Sequence, residues 1–166
     1  MVSLSTEFNG FTPSQMDLVQ HWNACRHGLC LPKREDLDPG AIRAHLASIS
    51  IVEIEPQGQV RFRLAGSGLR DILGREMRGR CVEELDQTVS EMWSLGLSSA
   101  LEQLRPVGGM IERDEDCHAW LRLPLHAPMK QALVLCHDML VPKERMRQNL
   151  TAQSHTASGT ERTLAA

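Results

Sequence analysis

The sequence lacks an excess of positive charge. Its 166 residues include 18 lysines and arginines against 21 aspartates and glutamates, so the formal net charge is −3. The corresponding isoelectric point, near 6.2, lies well below the basic values typical of dedicated nucleic-acid-binding domains. We therefore expect no nucleic-acid partner.

Long apolar runs and a disulfide framework are also missing. No apolar run approaches the ~18 residues of a membrane span, and the opening residues, MVSLSTEFNG, do not resemble a signal peptide. The five cysteines are an odd number without framework spacing, as expected for reduced thiols. The apolar and charged fractions, 42% and 23%, are typical of a globular domain. These features predict a cytoplasmic protein that does not enter the membrane.

The chain divides into three predicted segments. Residues 1–11 form a flexible arm, residues 12–141 form a single domain, and residues 142–166 form a frayed helix and a disordered tail. The tail is rich in Ser, Thr, Ala and Gln, which offer too little apolar surface to fold. Within the domain, Thr12 and Pro13 mark the start of a leading helix.

Secondary structure follows from the hydrophobic pattern. Asp38 and Pro39 predict a second short helix that ends near Ala47 and places Ile42 and Leu46 on one face. The remaining elements are, in order, strands over 48–55 and 60–66, a helical turn near 69–73, a long helix over 88–104, and strands over 107–113, 117–125 and 131–140. Strands grouped in this way predict an α+β fold with a five-stranded antiparallel sheet.

Two hairpin registers can be predicted from these strands. In the first hairpin one register places apolar side chains on one face and opposite charges on the other. Its pairs are Val52 with Leu64, Ile54 with Phe62, Glu53 with Arg63 and Glu55 with Arg61. In the last hairpin, a turn about Pro128 would place His118 opposite Asp138 and Trp120 opposite Cys136. The His118–Asp138 pair would then form a pH-sensitive cross-strand contact.

The last two strands are apolar on both faces, so the sheet needs two covers. One face carries Leu121, Leu123, Leu133 and Leu135, which we expect to pack against the helix of Trp93. The other face carries Trp120, Val134 and Cys136. The leading helix, with Met16, Val19 and Trp22, is available to cover it, either in the same subunit or in a second copy.

A series of short motifs accompanies this order of elements. They are Trp22, Leu31-Pro32, Arg34, Asp36, Asp38-Pro39, Phe62, Leu64, Gly66, Gly74-Arg75, Gly79-Arg80, Arg105-Pro106-Val107 and Leu123-Pro124-Leu125. Together they resemble a bacterial PAS-like family of the alphaproteobacterial type, over about residues 14–141. The resemblance implies a non-catalytic sensory or protein-interaction module, dimerisation through the leading helix, and an unidentified regulatory partner.

The same resemblance implies an apolar ligand pocket between sheet and helices. We predict that it is lined by Phe62, Leu64, Ile72, Leu73, Met77, Trp93, Leu97, Leu121, Leu123 and Leu135. Flavin-binding light sensors of this family carry a reactive cysteine where this chain has Met77. Haem-binding members carry a histidine on the long helix, whereas residues 88–104 contain none. Both cofactors are therefore disfavoured, and the ligand stays unknown.

Cysteine and histidine clusters leave a second class of function open. Cys25, His27 and Cys30 are soft or borderline ligands close in sequence, but their spacing is not that of a closed zinc site, and a partly buried cysteine pair is the alternative. The Cys117-His118 and Cys136-His137 pairs resemble thiol–imidazole dyads. Because neighbours in a strand point to opposite faces, neither forms a nucleophile–base pair. A small thiol-dependent enzyme or metal-binding redox protein is thus the alternative to a sensor.

Overall fold

The computed structural model describes residues 8–148. The α-helices before the last strand are α1 (Pro13–Ala24), α2 (Leu69–Leu73) and α3 (Gln87–Gln103). The strands are β1 (Ile49–Ile54), β2 (Val60–Ala65), β3 (Val107–Glu112), β4 (Asp116–Leu125) and β5 (Ala132–Pro142). They form one antiparallel sheet in the order β2-β1-β5-β4-β3. The predicted α+β class with a five-stranded antiparallel sheet is confirmed.

Local sequence signals explain where the longer helices begin. The Thr12 side chain accepts a hydrogen bond from the backbone N–H of Gln15, and Pro13 occupies the first turn of α1. The Asp86 carboxylate caps α3 by accepting from the backbone N–H of Thr88. The prediction of a helix over 39–47 is wrong, because this segment forms a 3₁₀-helix at Arg43–Ser48.

The first hairpin forms, but its predicted register is two residues out. Val52 lies opposite Phe62, and Ile54 lies opposite Val60. From Val52 to Ile54 the shift is two residues, which keeps these side chains and their partners on the predicted faces, so the charge pattern survives. Glu53 still pairs with Arg63, and Glu55 pairs with Arg61 at 2.9 Å.

A β-bulge in this hairpin has a larger consequence for the core. The register changes between Ile51, which lies opposite Leu64, and Val52, which lies opposite Phe62, so Arg63 is the extra residue. A bulge reverses the alternation of side chains along the strand. As a result, Phe62 and Leu64 point to opposite faces of the sheet instead of sharing one.

The last hairpin is also shifted by two residues from its predicted register. Trp120 lies opposite Asp138, and Arg122 lies opposite Cys136. The turn is centred on Met129, which adopts a left-handed φ of 63°, and not on Pro128. The side chains of His118 and Asp138 nevertheless meet, diagonally across the two strands.

The helices that pack on the two faces of the sheet are the reverse of those predicted. Leu121, Leu123, Leu133 and Leu135 do share a face, but α1 covers it. Val134 and Cys136 lie on the opposite face, beneath α3. Alternation along a strand shows which side chains share a face, but it cannot show which helix packs there. Helix α1 therefore covers the sheet of its own subunit.

Packed structure extends beyond both predicted domain boundaries. The Phe8 ring packs against the α1 side of the core and lies 5.2 Å from the Phe11 ring, so residues 8–11 are not a flexible arm. Residues 143–148 are helical, and Met146 is buried against Cys117 and Val141. The rest of the predicted arm, residues 1–7, and of the predicted tail, residues 149–166, lies outside the described residues.

Within residues 8–148, none of the helices has the length and apolar character that a membrane crossing requires.

Candidate functional site

The α3 face of the sheet carries one of the two main apolar clusters of the domain. Trp93 and Leu97 of α3 pack onto it, and the Trp93 ring meets the Phe62 ring edge-on at 5.1 Å. Met77 is fully buried in the same cluster, and Leu73 of α2 packs against its edge. These predicted pocket residues come together between the sheet and its helices.

Four other predicted pocket residues do not belong to this cluster. Leu64, Leu121, Leu123 and Leu135 all pack on the α1 face. The bulge turns Leu64 away, and the odd-numbered positions of β4 and β5 face α1. Their assignment to the pocket is therefore wrong.

The residues predicted to contact the leading helix also divide between the faces. Val19 and Trp22 are buried against the sheet, and the Trp22 Nε1–H donates to the backbone oxygen of Pro124 at 2.9 Å. Met16 is 54% exposed and covers nothing, whereas Leu18 is buried in its place. Trp120 and Val134 lie on the α3 side, so neither contacts α1.

A cavity of about 400 Å³ opens beside the apolar cluster, between α2, α3 and the edge of the sheet. Its walls are mainly aliphatic, and its polar side chains come from α3, β4 and the residue after β3. The residues that line the cavity are Ile72, Leu73, Thr88, Val89, Met92, Ile111, Arg113 and His118. Size and lining match those of a small-molecule site, since such pockets are apolar with a few placed polar groups. Of the predicted pocket residues, Ile72 and Leu73 line it directly.

His118 connects this cavity with a buried charged cluster. Its Nε2 lies 2.7 Å from Oδ1 of Asp138, and its side chain is almost completely buried. Asp138 also accepts two hydrogen bonds from Arg122, at 3.0 and 3.1 Å. The three side chains form a continuous chain of charge and hydrogen bonds from the sheet interior to the cavity.

Arg122 is held between aromatic rings. Its guanidinium carbon lies 3.9 Å from the centre of the Trp93 ring and 5.3 Å from that of Trp120. Such contacts stabilise a desolvated cation. The Trp120 ring itself fits beside Gly96 and Gly109, where an added Cβ would meet it at 3.1 and 2.5 Å. These two glycines allow Trp120 to reach its position over Arg122.

The charged cluster perturbs the ionisation of its neighbours. Burial opposes the negative charge of Asp138, but Arg122 and His118 outweigh it and hold the pKa of the carboxyl below its usual range. Burial raises the pKa of the Cys136 thiol to about 12. A thiol that stays protonated at neutral pH is a poor nucleophile. The geometry therefore gives no support to thiol catalysis at Cys136.

The His118–Asp138 contact was predicted from the sequence, but the part played by Arg122 was not. The signal was present: Arg122 is the one charged residue in the otherwise apolar run Trp120–Leu125, and a buried arginine needs a carboxylate partner. Only the true register shows that this partner is Asp138, on the adjacent strand.

The predicted cysteine–histidine cluster after α1 does not have the arrangement of metal ligands. The Cys25 thiol donates to the backbone oxygen of Asp36 at 3.2 Å and lies 3.5 Å from Nε2 of His21. Cys30 is exposed, and His27 approaches Asp36 at 3.8 Å. Among residues 8–148, no group of three or more histidine, cysteine or acidic side chains has the geometry to hold a metal ion.

Comparison with known proteins identifies the family. The family model described as PAS domain matches residues 11–105, which is more than half of the chain although shorter than the span of the sequence resemblance. No curated protein matches. One similar solved structure is a domain of an HTR-like protein from Haloarcula marismortui ATCC 43049. It has 12% sequence identity and a TM-score of 0.43, and the alignment covers 56% of this chain and 97% of that chain. This chain belongs to the PAS domain family, whose members are sensory or regulatory modules.

Proposed function

We propose that this PAS domain is a non-catalytic sensor of a bacterial cytoplasm that binds a small, largely apolar molecule in the cavity between α2, α3 and the sheet. The observation that carries the proposal is the cavity of about 400 Å³, with aliphatic walls and His118 as a buried polar group. Such a combination suits recognition of one class of small molecule.

The position of the cavity suggests how binding would reach the surface. Thr88 and Met92 of α3 line both the cavity and a second, more open groove, which also contacts Leu95 and Trp120. A ligand that favours one position of α3 would therefore change this exposed groove. The effect is limited by the difference in ligand affinity between the two positions. We propose that the groove meets a second copy of the domain or a regulatory protein.

Ligand binding can be tested by native mass spectrometry of the freshly purified protein. We expect a retained small molecule, and we expect Met92→Trp to abolish its retention by filling the cavity. Leu95→Trp is the matched control, because Leu95 lies on the same helix but is exposed. Equal retention by wild type and Met92→Trp, or no retained or added small molecule bound at all, would contradict the proposal.

The cofactor expectation is tested separately. Met77 is buried where a flavin-reactive cysteine would lie in light-sensing relatives, and residues 88–104 contain no histidine to bind haem. We therefore propose that neither group is bound and that the protein purifies colourless. Stoichiometric absorption at flavin or Soret wavelengths would overturn this.

Homodimerisation is proposed through a surface other than the packed side of α1. Of the predicted contact residues, Val19 and Trp22 are buried within their own subunit, whereas Met16 is exposed. Sedimentation of wild type across a concentration series should show a monomer–dimer equilibrium. Leu95→Glu should shift it toward monomer if the groove beside α3 is the contact, and Met16→Glu if the outer side of α1 is. A monomer at every concentration would contradict homodimerisation and leave a different regulatory protein as the proposed partner.

A further inference from the structure

We propose that a second cavity, beside α1, binds a compact organic carboxylate through Arg26 and Arg105. This space, the α1 cavity, shares no lining residue with the cavity between α2, α3 and the sheet, the α3 cavity. The inference therefore goes beyond the proposed function and does not depend on it. Its basis is a partly enclosed space with two arginines on its wall and a buried N–H donor of Arg26 that has no acceptor.

The α1 cavity is small and largely apolar. It has a volume of about 140 Å³ and lies where α1 meets residues 8–9 and the loop between α3 and β3. Its apolar walls are formed by Phe8, Val19, Trp22 and Pro106. An apolar cavity of about 150 Å³ accepts a molecule of the size of benzene. The space therefore suits a ligand whose apolar body is about as large as one ring.

The charged side chains of the α1 cavity are all positive. Its polar lining consists of Asn9, Asn23, Arg26 and Arg105, and none of the described residues that line it is acidic. Among residues 8–148, neither arginine forms an ion pair. Two guanidinium groups at one cavity repel each other, and a bound anion relieves this repulsion. The charge therefore favours an anion over a neutral molecule or a cation.

Arg26 is held by its neighbours but keeps an unused donor. Its guanidinium carbon lies 5.1 Å from the centre of the Trp22 ring, and its Nη2 donates to the backbone oxygen of Leu29 at 3.3 Å. Its Nε–H is buried and, within residues 8–148, has no acceptor. Because buried donors in native proteins are nearly always paired, this one points to an acceptor that enters the cavity.

Arg105 offers further donors at the same cavity. Its Nε donates to Oε1 of Gln103 at 2.7 Å, which leaves both Nη groups for another acceptor. A carboxylate, with two oxygens, matches such arginine donors in geometry and charge. It can accept from Arg26 and Arg105 while its apolar body lies against Trp22 and Val19. Inorganic phosphate has the charge but no apolar body to cover these walls.

The test is titration calorimetry of the full chain with sodium benzoate at neutral pH, where benzoate and both arginines are ionised. We expect one benzoate to bind per chain. Benzamide keeps the ring without the charge and should bind at least tenfold more weakly, because charge-assisted hydrogen bonds are about twice as strong as neutral ones. Inorganic phosphate should also bind at least tenfold more weakly, because it leaves the apolar walls uncovered.

Two variants and a control locate the charge. Arg26→Met and Arg105→Met each keep an unbranched stem but remove one guanidinium, so each should weaken benzoate at least tenfold. Arg43→Met is the matched control, because it removes the same charge from an exposed position outside the cavity and should leave the affinity unchanged. Arg26 packs on Trp22, so the fold of its variant is checked by circular dichroism. Arg105 is exposed, so its variant tests the inference even if Arg26→Met does not fold.

Tryptophan signals distinguish the two cavities. Of the three tryptophans in the chain, Trp22 alone lines the α1 cavity. In two-dimensional ¹H–¹⁵N spectra, benzoate should shift the indole signal of Trp22, which is assigned with Trp22→Phe, and leave those of Trp93 and Trp120 in place. In calorimetry, Met92→Trp, which fills the α3 cavity, should bind benzoate with wild-type affinity.

The outcomes also separate this inference from the proposed function. Absence of benzoate binding, benzamide or phosphate bound as tightly as benzoate, or wild-type affinity in either arginine variant overturns the carboxylate site. A shift of Trp93 or Trp120 without Trp22, or loss of benzoate binding in Met92→Trp, places benzoate in the α3 cavity and also overturns it. Small-molecule retention by wild type and Met92→Trp decides the proposed function, which therefore holds or fails independently.

Discussion

The two faces of the sheet are packed by different means. On the α1 face, leucines from three strands surround Trp22, and the indole N–H is satisfied locally by a backbone oxygen. On the α3 face, an apolar cluster of similar size encloses Arg122 and Asp138 and adjoins a cavity. Buried ion pairs contribute little net stability, because desolvation offsets most of their attraction. The α1 face therefore provides stability, whereas the α3 face gives up some stability for a polar site.

The largest effect is expected on the α1 face. Trp22→Ala removes a fully buried indole, which typically lowers the free energy of unfolding by about 3–5 kcal/mol, and also leaves the Pro124 oxygen without its donor. Trp22→Phe, which keeps most of the packing, should cost much less. Urea unfolding measures both. Because α1 covers its own sheet, sedimentation should show no change in association, and wild-type stability of Trp22→Ala would mean that the helix is not anchored.

On the α3 face, removing one ion should cost more than removing both. Asp138→Asn leaves Arg122 buried without a counter-charge and should lower the free energy of unfolding by about 3–4 kcal/mol. The double variant Arg122→Met, Asp138→Leu replaces the pair by apolar side chains and should be closer to wild type. Urea unfolding compares the three proteins. A double variant less stable than Asp138→Asn would mean that the pair itself stabilises the fold.

Lowering the pH should destabilise the fold through a buried histidine on the α1 face. Burial lowers the pKa of His137, on the α1 face, to about 4, and its Nδ1 has no partner among the described residues. Between that pH and the ordinary value near 6.5, the unfolded chain binds a proton that the folded chain does not. Stability present above pH 6.5 is therefore lost as the pH falls toward 4, by up to about 3 kcal/mol.

The measurement is the free energy of unfolding at pH 7 and pH 4.5 for wild type and His137→Gln. The variant should lose clearly less stability than wild type over this interval. Equal losses would show that His137 does not titrate in this window.

A smaller effect is expected from overpacking beside Trp120. A Cβ at position 109 would lie 2.5 Å from the Trp120 ring, so Gly109→Ala should displace this indole from Arg122 at a cost of about 1–3 kcal/mol. Gly58→Ala is the control for spatial crowding, since nothing lies within 4 Å of its Cβ position, although its φ of 91° adds backbone strain. Tryptophan fluorescence should change in Gly109→Ala alone. An unchanged spectrum at wild-type stability would mean that the ring position is not constrained by Gly109.

The order of the elements and much of the local structure follow from patterns in the sequence alone. Thr12 and Pro13 specify the start of α1, because a side-chain acceptor and a fixed φ favour the first turn wherever the helix packs. Alternation showed that Leu121, Leu123 and Leu135 share a face, and charge identified the Glu53–Arg63 and Glu55–Arg61 pairs. All of these depend on residues close in sequence or on a period of two.

Which helix covers which face of the sheet depends instead on packing between distant parts of the chain. The bulge at Arg63 turns Leu64 toward α1, and the turn centred on Met129 sets the register that brings Arg122 to Asp138. A shift of two residues preserves the facial pattern, so the sequence pattern cannot distinguish the two registers. The ionic cluster and the cavity depend on distances between strands and helices far apart in sequence. Their positions were therefore fixed by packing between elements, which local propensity does not encode.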